Sequence, residues 1–248
     1  MSSSLHQALC AERGIVCAIG AGGKKTTLFA LLEGATERTG LTASVFTPDF
    51  PEDIDASVHV EAPETLRRLL PTDPAMRIAY AQPTDKPRRV GPLSFDEITA
   101  LHALGKFTLT LVKADGARMR RIKAPGEHEP RVVPGSTVLA ITSIQSLGRP
   151  LDDRIAHRPE RIAEVTGQQL GEPISGTLIA RLYTRQGGLA NGTGNSTVIP
   201  VLNMVDDAGL QARAREVAQA ILAESERYDR VVLLSARRSG QLVDIILR

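Results

Sequence analysis

Short apolar runs alternate with amphipathic segments along most of the chain. The first run, residues 15–19, precedes a helical pattern over about residues 25–39, which Gly40 is expected to end, and a second run follows at about 42–47. Runs that are apolar at every position are typical of strands buried on both faces of a parallel sheet, with helices as the crossovers. The pattern therefore predicts a three-layer α/β fold built on a mostly parallel, doubly wound sheet.

The rest of the chain continues this alternation. Ser94, with Glu97 three residues later, predicts a capped helix that runs to about residue 104. The proline-rich residues 71–93 predict an irregular excursion from what is otherwise a single domain over residues 1–248. Further strands are predicted at about residues 57–61, 107–112, 137–142, 197–203, 230–235 and 241–247, and further helices at about 63–70, 157–167, 175–186 and 206–227.

A glycine-rich turn joins the first strand to the first helix. It fits the short phosphate-loop pattern G-x-x-G-K-x-[ST] with Gly20, Gly23, Lys24 and Thr26. Glycines let backbone N–H groups curl around an anion, the helix N-terminus adds partial positive charge, and lysine adds a full charge. A plain strand-to-helix turn with solvated lysines is the alternative. The predicted nucleotide-binding residues of this loop are Gly20, Ala21, Gly22, Gly23, Lys24, Lys25, Thr26 and Thr27.

A phosphate loop in such a sheet predicts a fold of the P-loop NTPase type, with the ligand at the carboxyl ends of the strands. Asp115 follows the apolar run at 107–112, where an acidic residue is the usual second anchor for magnesium. A turn aspartate in Asp-Gly is the alternative. We therefore predict ATP or GTP together with Mg²⁺ as cofactors, and Thr26 and Asp115 as the metal ligands.

Four cations follow Asp115, at positions 118, 120, 121 and 123. They can clamp phosphate groups, although a run of charges is often no more than a solvated face. If the protein is a nucleotide hydrolase or a kinase, the catalytic residues predicted from these patterns are Lys24, Asp115, Arg118 and Arg121.

Two later strand ends predict a pocket for the nucleotide base. One strand ends in Asn203-Met204-Val205-Asp206, and the next ends in Ser235-Ala236. GTPases carry Asn-Lys-x-Asp and Ser-Ala-Lys at the corresponding ends, but here Met204 replaces the lysine that stacks on the base. Asp206 can instead cap the following helix. We predict Asn203, Asp206, Ser235 and Ala236 as base-pocket residues, with guanine only weakly favoured over adenine.

Composition narrows the possible partners. The 30 basic and 28 acidic residues give a net charge of +2, and aromatic residues make up only 3% of the chain. Neither value favours nucleic acid as a partner, since neither a broad basic surface nor a stacking surface is indicated. No apolar run approaches the roughly 20 residues of a membrane-spanning helix. With two cysteines, no metal-binding spacing and no signal-peptide pattern, we expect a cytoplasmic protein without a membrane partner.

Three stretches resemble the YqeC-type accessory proteins of selenium-dependent molybdenum hydroxylases. They are GAGGKKTT at 20–27, ADGARMRRIKAPGEHEP at 114–130 and SLGRPLDDRIAHRPERIAEVTG at 146–167. The resemblance implies a nucleotide-binding protein that acts in the maturation of molybdenum-cofactor hydroxylases, with such a hydroxylase or another maturation protein as a possible partner. Whether that activity includes nucleotide hydrolysis stays open, as do two alternatives: a small-molecule kinase for an anionic or pterin-type substrate, and a non-catalytic scaffold that docks on a hydroxylase.

The chain departs from the family pattern near the expected metal. Lys25 stands where the family usually has a threonine, Lys113 where it usually has a glutamate, and Pro48-Asp49 where it usually has a threonine-rich strand end. Each departure removes a hydroxyl or a carboxylate from the region of Mg²⁺ and the γ-phosphate. The sequence therefore favours nucleotide binding over hydrolysis.

Overall fold

A computed structural model describes residues 4–235 and 241–248 of the protein. Its centre is a nine-stranded sheet, whose strands we label β1 to β9 in chain order. They are β1 (Gly14–Gly20), β2 (Thr39–Ala43), β3 (Ser57–Val60), β4 (Arg77–Ala81), β5 (Leu109–Lys113), β6 (Thr137–Ser143), β7 (Thr197–Asn203), β8 (Arg230–Ser235) and β9 (Gln241–Leu247).

The strand order is β9-β8-β7-β6-β1-β5-β2-β4-β3. All neighbouring pairs are parallel except β8 and β9, which are antiparallel. Strands β2 to β5, which follow β1 in the chain, all lie on one side of β1. Strands β6 to β9 lie on its other side. The direction of winding therefore reverses at β1, and ligands of such sheets bind at the carboxyl ends of the strands beside a reversal of this kind.

Helices cover both faces of the sheet. They are α1 (Leu5–Ala8), α2 (Lys24–Glu33), α3 (Pro63–Leu69), α4 (Phe95–Leu104), α5 (Pro159–Thr166), α6 (Gly176–Thr184) and α7 (Ala208–Glu224). Alternate residues of β1 enter different cores: Val16 and Ala18 pack with α1 and α2, whereas Cys17 and Ile19 face the core that contains residues of α3 to α7. The predicted three-layer, mostly parallel α/β fold of P-loop NTPase type is confirmed.

One local prediction was wrong, and a second holds only in part. The first helix ends at Glu33 with Gly34 as its C-cap, and Gly40 lies inside β2. A Cβ atom at Gly40 would stand 2.9 Å from the Tyr80 ring, so this glycine serves close packing in the sheet and does not end a helix. Residues 71–93 contain β4, a strand between β2 and β3, so the predicted irregular excursion holds only for the segments that flank it.

Two short strand pairs fix the loops at the carboxyl edge of the sheet. Thr47–Pro48 pairs with Arg89–Val90 in the antiparallel direction. Ile122–Lys123 pairs with Ala156–His157 in the parallel direction, and this second pair holds the segment that follows β5. Within the described part of the chain, no helix has both the length and the apolar character required to cross a membrane.

The predicted capping box at the start of α4 is present and can be tested. Ser94 Oγ accepts a bond from the Glu97 N–H, and the Glu97 carboxylate accepts one from the Ser94 N–H at 2.7 Å. Loss of this N-cap should lower the free energy of unfolding by about 1 kcal/mol for Ser94→Ala. Urea unfolding measures the change. Glu97→Gln is the matched control, because glutamine can replace glutamate in a capping box, and an equal loss in that variant would contradict the assignment.

Candidate functional site

The glycine-rich loop has a backbone that few other residues could adopt. Gly20, Gly22 and Gly23 have φ angles of +89°, +84° and +126°, in the region that disfavours residues with a Cβ atom. A Cβ atom at Gly20 would lie 2.1 Å from the Ile141 carbonyl oxygen, and one at Gly23 would lie 1.9 Å from Asn203 Nδ2. The loop therefore packs closely against the ends of β6 and β7, and its glycines are structurally required.

The loop leads directly into α2. Gly23 is the N-cap of this helix, and no side chain in the described ranges 4–235 and 241–248 caps it. The first N–H groups of a helix have no partner inside the helix, and they attract anions. An uncapped start next to a glycine loop is thus the arrangement that a phosphate group can complete.

Asp115 is the centre of the charged groups beside the loop. Its side chain is only 2% exposed. Oδ2 accepts a hydrogen bond from the Gly20 N–H at 2.8 Å and lies 2.9 Å from Lys123 Nζ, while Oδ1 lies 2.8 Å from Lys24 Nζ. Lys24 Nζ also donates to the Gly20 carbonyl oxygen. Asp115 therefore fixes the end of β1 and holds the loop lysine at the same time.

Lys123 extends this cluster away from the loop. Its ammonium group donates to Glu129 Oε2 at 2.7 Å and to the Gly116 carbonyl oxygen at 2.6 Å. Arg158 Nη1 donates to the same Glu129 oxygen at 2.7 Å. Alternating charges thus attach the segment after β5 to the start of α5. Each of the two carboxylates involved, Asp115 and Glu129, contacts two cations.

Burial and charge shift the pKa values of several of these groups. Burial lowers the pKa of Lys24, and the nearby charge of Asp115 opposes this effect. Burial would raise the pKa of Glu129, but the hydrogen bond and charge of Lys123, with a further contribution from Arg158, lower it to about 2. Burial and the positive charge of Lys24 lower the pKa of Lys113 to about 8. The lowered pKa values of Lys24 and Lys113 thus reflect burial and the close spacing of lysines beside the loop.

Lys25, Thr26 and Thr27, which follow Lys24, differ in their burial and in their contacts. Lys25 Nζ lies 5.4 Å from the centre of the Phe29 ring, on the same helix. Thr26 is half-buried, whereas Thr27 is fully buried and its hydroxyl has no hydrogen-bond partner in the part of the chain that is described. The two threonines are therefore not equivalent, and the lysine between Lys24 and Thr26 does not contact Asp115.

A magnesium ion held by the protein fits this arrangement poorly. Both carboxylate oxygens of Asp115 already lie within 2.9 Å of an ammonium group, and two such charges would repel a divalent cation. The described residues contain no group of three or more His, Cys, Asp or Glu side chains that could hold a metal. The metal role of Asp115 and Thr26 stays a prediction, and a metal bound to Asp115 Oδ1 would require Lys24 to leave that oxygen, while Lys123 contacts Oδ2.

The described base-side residues, Asn203, Asp206 and Ser235, lie at the carboxyl ends of β7 and β8, and they divide into two groups. Asn203 Nδ2 donates to the Gly22 carbonyl oxygen at 2.9 Å, so Asn203 supports the phosphate loop. Asp206 accepts bonds at 2.8 Å from the Ser235 hydroxyl and from Gln145 Nε2. Ala236 lies outside the described residues. The structure thus brings Asp206 and Ser235 together and places Asn203 next to the loop, and the base pocket stays a prediction.

The two arginines predicted to act on phosphate groups are differently placed. Arg121 donates through Nη1 to the Gln145 side-chain oxygen and lies 3.6 Å from Met204 Sδ, so its guanidinium belongs to the base-side group. Its carbonyl oxygen accepts the Ser143 N–H at 2.9 Å. Arg118 is exposed and has a positive φ of 46°. In this conformation neither guanidinium contacts Asp115 or Lys24.

Sequence reasoning did not predict the contacts that several residues of the site make. Lys123, Glu129 and Gln145 connect the loop, the segment after β5 and the base side, and Met204 has a left-handed backbone with a φ of 62°. Lys123 was noticed only as part of a run of cations. A lysine inside an otherwise apolar sequence, Ile122-Lys123-Ala124-Pro125, was the available signal that this cation is buried.

The buried pairing of Glu129 predicts a pH-dependent stability. Since its folded-state pKa lies below the ordinary value of 4.5, its contribution is complete well above pH 4.5 and is lost as the pH falls towards about 2. Glu129→Gln should lower the free energy of unfolding by about 2 kcal/mol at pH 7, with the difference from the wild-type protein narrowing towards pH 3.5. Urea unfolding at several pH values measures this. The exposed neighbour Glu127→Gln is the control, and a difference independent of pH would contradict the assignment.

Comparison with known proteins adds one relationship. A family model described as YqeC protein matches residues 16–160, which contain most of β1, all of β2 to β6, and the loop. The "Uncharacterized protein YqeC" of Escherichia coli (strain K12) is 28% identical over 156 residues, which are 62% of this chain and 60% of that protein. The chain thus aligns with about three fifths of that relative's length. No solved structure matches the chain significantly. Because the family model covers more than half of the chain, the protein belongs to the YqeC family.

Proposed function

We propose that this protein binds a purine nucleoside triphosphate, ATP or GTP, with its phosphates at the loop formed by residues 20–27. The observation that carries the proposal is a lysine-bearing glycine loop at the carboxyl end of the central strand, where the winding of the sheet reverses. The loop opens an uncapped helix, and the surrounding charge is predominantly positive. These features together favour a polyanionic ligand with phosphate groups.

Binding would transfer the ammonium group of Lys24 from Asp115 to the phosphates. The cost of this transfer is limited, because Asp115 keeps Lys123 at 2.9 Å and the Gly20 N–H at 2.8 Å. A buried carboxylate left without any cation would be costly. Lys123 thus supplies the positive charge that a metal ion would otherwise supply at this carboxylate, and it allows the loop lysine to move.

The base would bind on the side of Asp206 and Ser235. The Asp206 carboxylate and the Ser235 hydroxyl are 2.8 Å apart at the ends of β7 and β8, beyond the loop. A carboxylate at this place can accept hydrogen bonds from base N–H groups. The present partners of Asp206, including Gln145, would have to exchange for the base, and both adenine and guanine remain candidates.

We propose a nucleotide-binding accessory protein and not an efficient hydrolase. Both carboxylate oxygens of Asp115 contact lysine ammonium groups, and Lys25 occupies the position where a hydroxyl is expected. The guanidinium groups of Arg118 and Arg121 do not contact Asp115 or Lys24. The setting of this activity, maturation of molybdenum-cofactor hydroxylases with a hydroxylase as docking partner, rests on the family resemblance and not on a feature of the site.

Calorimetric titration with ATP and with GTP tests the proposal. We expect binding of at least one nucleotide with a dissociation constant well below 1 mM, and a change of less than about threefold when Mg²⁺ is replaced by a chelator. Absence of binding of both nucleotides near millimolar concentration would contradict the proposal. Binding that strictly requires Mg²⁺ would contradict the role assigned to Lys123.

Substitution of the loop lysine tests the location of the phosphates. Lys24→Met should weaken nucleotide binding by at least about tenfold, since it removes a charge-assisted contact to phosphate. Lys106→Met is the matched control, because Lys106 is an exposed lysine that precedes β5 and lies outside the loop. Equal affinities of the Lys24→Met and wild-type proteins, measured by the same titration, would place the nucleotide elsewhere.

A further inference from the structure

The nine-stranded sheet ends on one side in an open edge strand, β3. Among the described strands, only β4 pairs with it. The Glu61 N–H donates to the Ala81 carbonyl oxygen at 3.0 Å, so the backbone groups of the odd-numbered residues face β4. Because successive residues of a strand alternate in direction, the N–H and C=O groups of Val58 and Val60 point away from the sheet. These groups form a template to which a further strand can bind.

The side chains of β3 give the two faces of this edge different characters. Val58 and Val60 lie on one face and are 44% and 37% exposed. Ser57 and His59 lie on the other face, where they contact Asp73 Oδ2 at 2.7 Å and 2.6 Å. An added strand would therefore meet exposed valines on one face and a carboxylate on the other.

The segment around β3 is strongly acidic. Residues 49–66 contain no Lys or Arg, and their six exposed acidic residues are Asp49, Glu52, Asp53, Asp55, Glu61 and Glu64. Within the described ranges, only Asp55 of these six has an ion pair, which it forms with Arg77. The first cations after this segment, Arg67 and Arg68, lie in the last turn of α3. The edge therefore attracts a positively charged segment and repels a negatively charged one.

A second copy of this chain matches the edge poorly. Antiparallel pairing of β3 with itself would bring the acidic segments of two chains together. Like charges on neighbouring strands are destabilising. The charge of the edge thus favours a different protein, with a basic segment, over a homodimer.

We propose that β3 is a docking edge for a partner protein, which adds an extended segment of alternating apolar and basic residues to the sheet. Backbone hydrogen bonds to Val58 and Val60 would provide affinity, and apolar side chains of the partner would cover the two valines. Its basic side chains would lie near the carboxylates of Asp73 and Glu61. Three strands, β5, β2 and β4, separate this edge from β1 and its loop, so the inference does not depend on the proposed nucleotide site.

Fluorescence anisotropy with a labelled peptide tests the docking edge. The probe is an eight-residue peptide that alternates lysine and valine, and the control peptide alternates glutamate and valine. We expect the lysine–valine peptide to bind the full chain with a dissociation constant below about 1 mM. The glutamate–valine peptide should bind at least about tenfold more weakly. Equal binding of both peptides, or no binding of the lysine–valine peptide, would overturn the proposal.

Substitution of Val58 separates strand addition from simple charge attraction. Val58→Pro removes an outward N–H and leaves the bonds to β4, so it should weaken binding of the lysine–valine peptide by at least about tenfold. Val58→Thr keeps the N–H and is the matched control, with a change of less than about threefold expected. Equal affinities of the Val58→Pro and wild-type proteins would overturn the proposal. Val60→Pro replaces Val58→Pro if the thermal melt shows that the latter does not fold.

A charge reversal tests the acidic side of the edge. Glu61→Lys should weaken binding of the lysine–valine peptide by at least about threefold at low salt. Glu226→Lys is the control, because Glu226 is an exposed glutamate that follows α7, far from β3 in the strand order. An equal loss in both variants would show attraction to net charge and overturn the proposal. Titration of the Val58→Pro protein with ATP and GTP should match that of the wild-type protein, so failure of the nucleotide site and failure of the docking edge are distinguishable.

Discussion

The contacts of one buried carboxylate hold the candidate site together. Asp115 joins the end of β1, the first residue of α2 and the segment after β5, because it bonds the Gly20 N–H and contacts both Lys24 and Lys123. A carboxylate that is 2% exposed needs compensating charge, and here two cations supply it. The position of the loop lysine follows from this balance.

The fold explains why these groups meet. The loop, Asp115 and the base-side residues follow five adjacent strands, β5, β1, β6, β7 and β8, at their carboxyl ends. The short pairing of Ile122–Lys123 with Ala156–His157 then places Lys123 beneath the loop. Lys24 and Lys123 both contact Asp115, and Lys25 and Lys113 add positive charge nearby. This concentration of positive charge is the basis on which an anionic ligand is proposed.

Much of this architecture follows from the sequence. Apolar runs with helical segments between them predicted the parallel sheet, and Ser94 with Glu97 predicted a cap that the structure contains. The strand β4 was missed because prolines flank it, although Arg77–Ala81 itself is a continuous pairing segment between β2 and β3. The local sequence predicts helix caps and turns better than it predicts which strands pair with a short strand.

The site was only partly predictable for a different reason. The loop and Asp115 carry local signatures, whereas the pairing of Lys123 with Asp115 and of Arg121 with Gln145 depends on how loops fold over the sheet edge. A run of cations does not reveal which member is buried. Lys123 is 1% exposed and Arg118 is exposed, yet both belong to the same run.

A crystal structure of the protein with a non-hydrolysable ATP or GTP analogue tests the central claim most directly. The account predicts phosphate oxygens at the loop with Lys24 Nζ about 3 Å away, while Asp115 keeps its contacts with Lys123 and the Gly20 N–H. A metal ion bound directly to Asp115 with Lys123 displaced, or a nucleotide bound away from the loop with Lys24 still on Asp115, would contradict it.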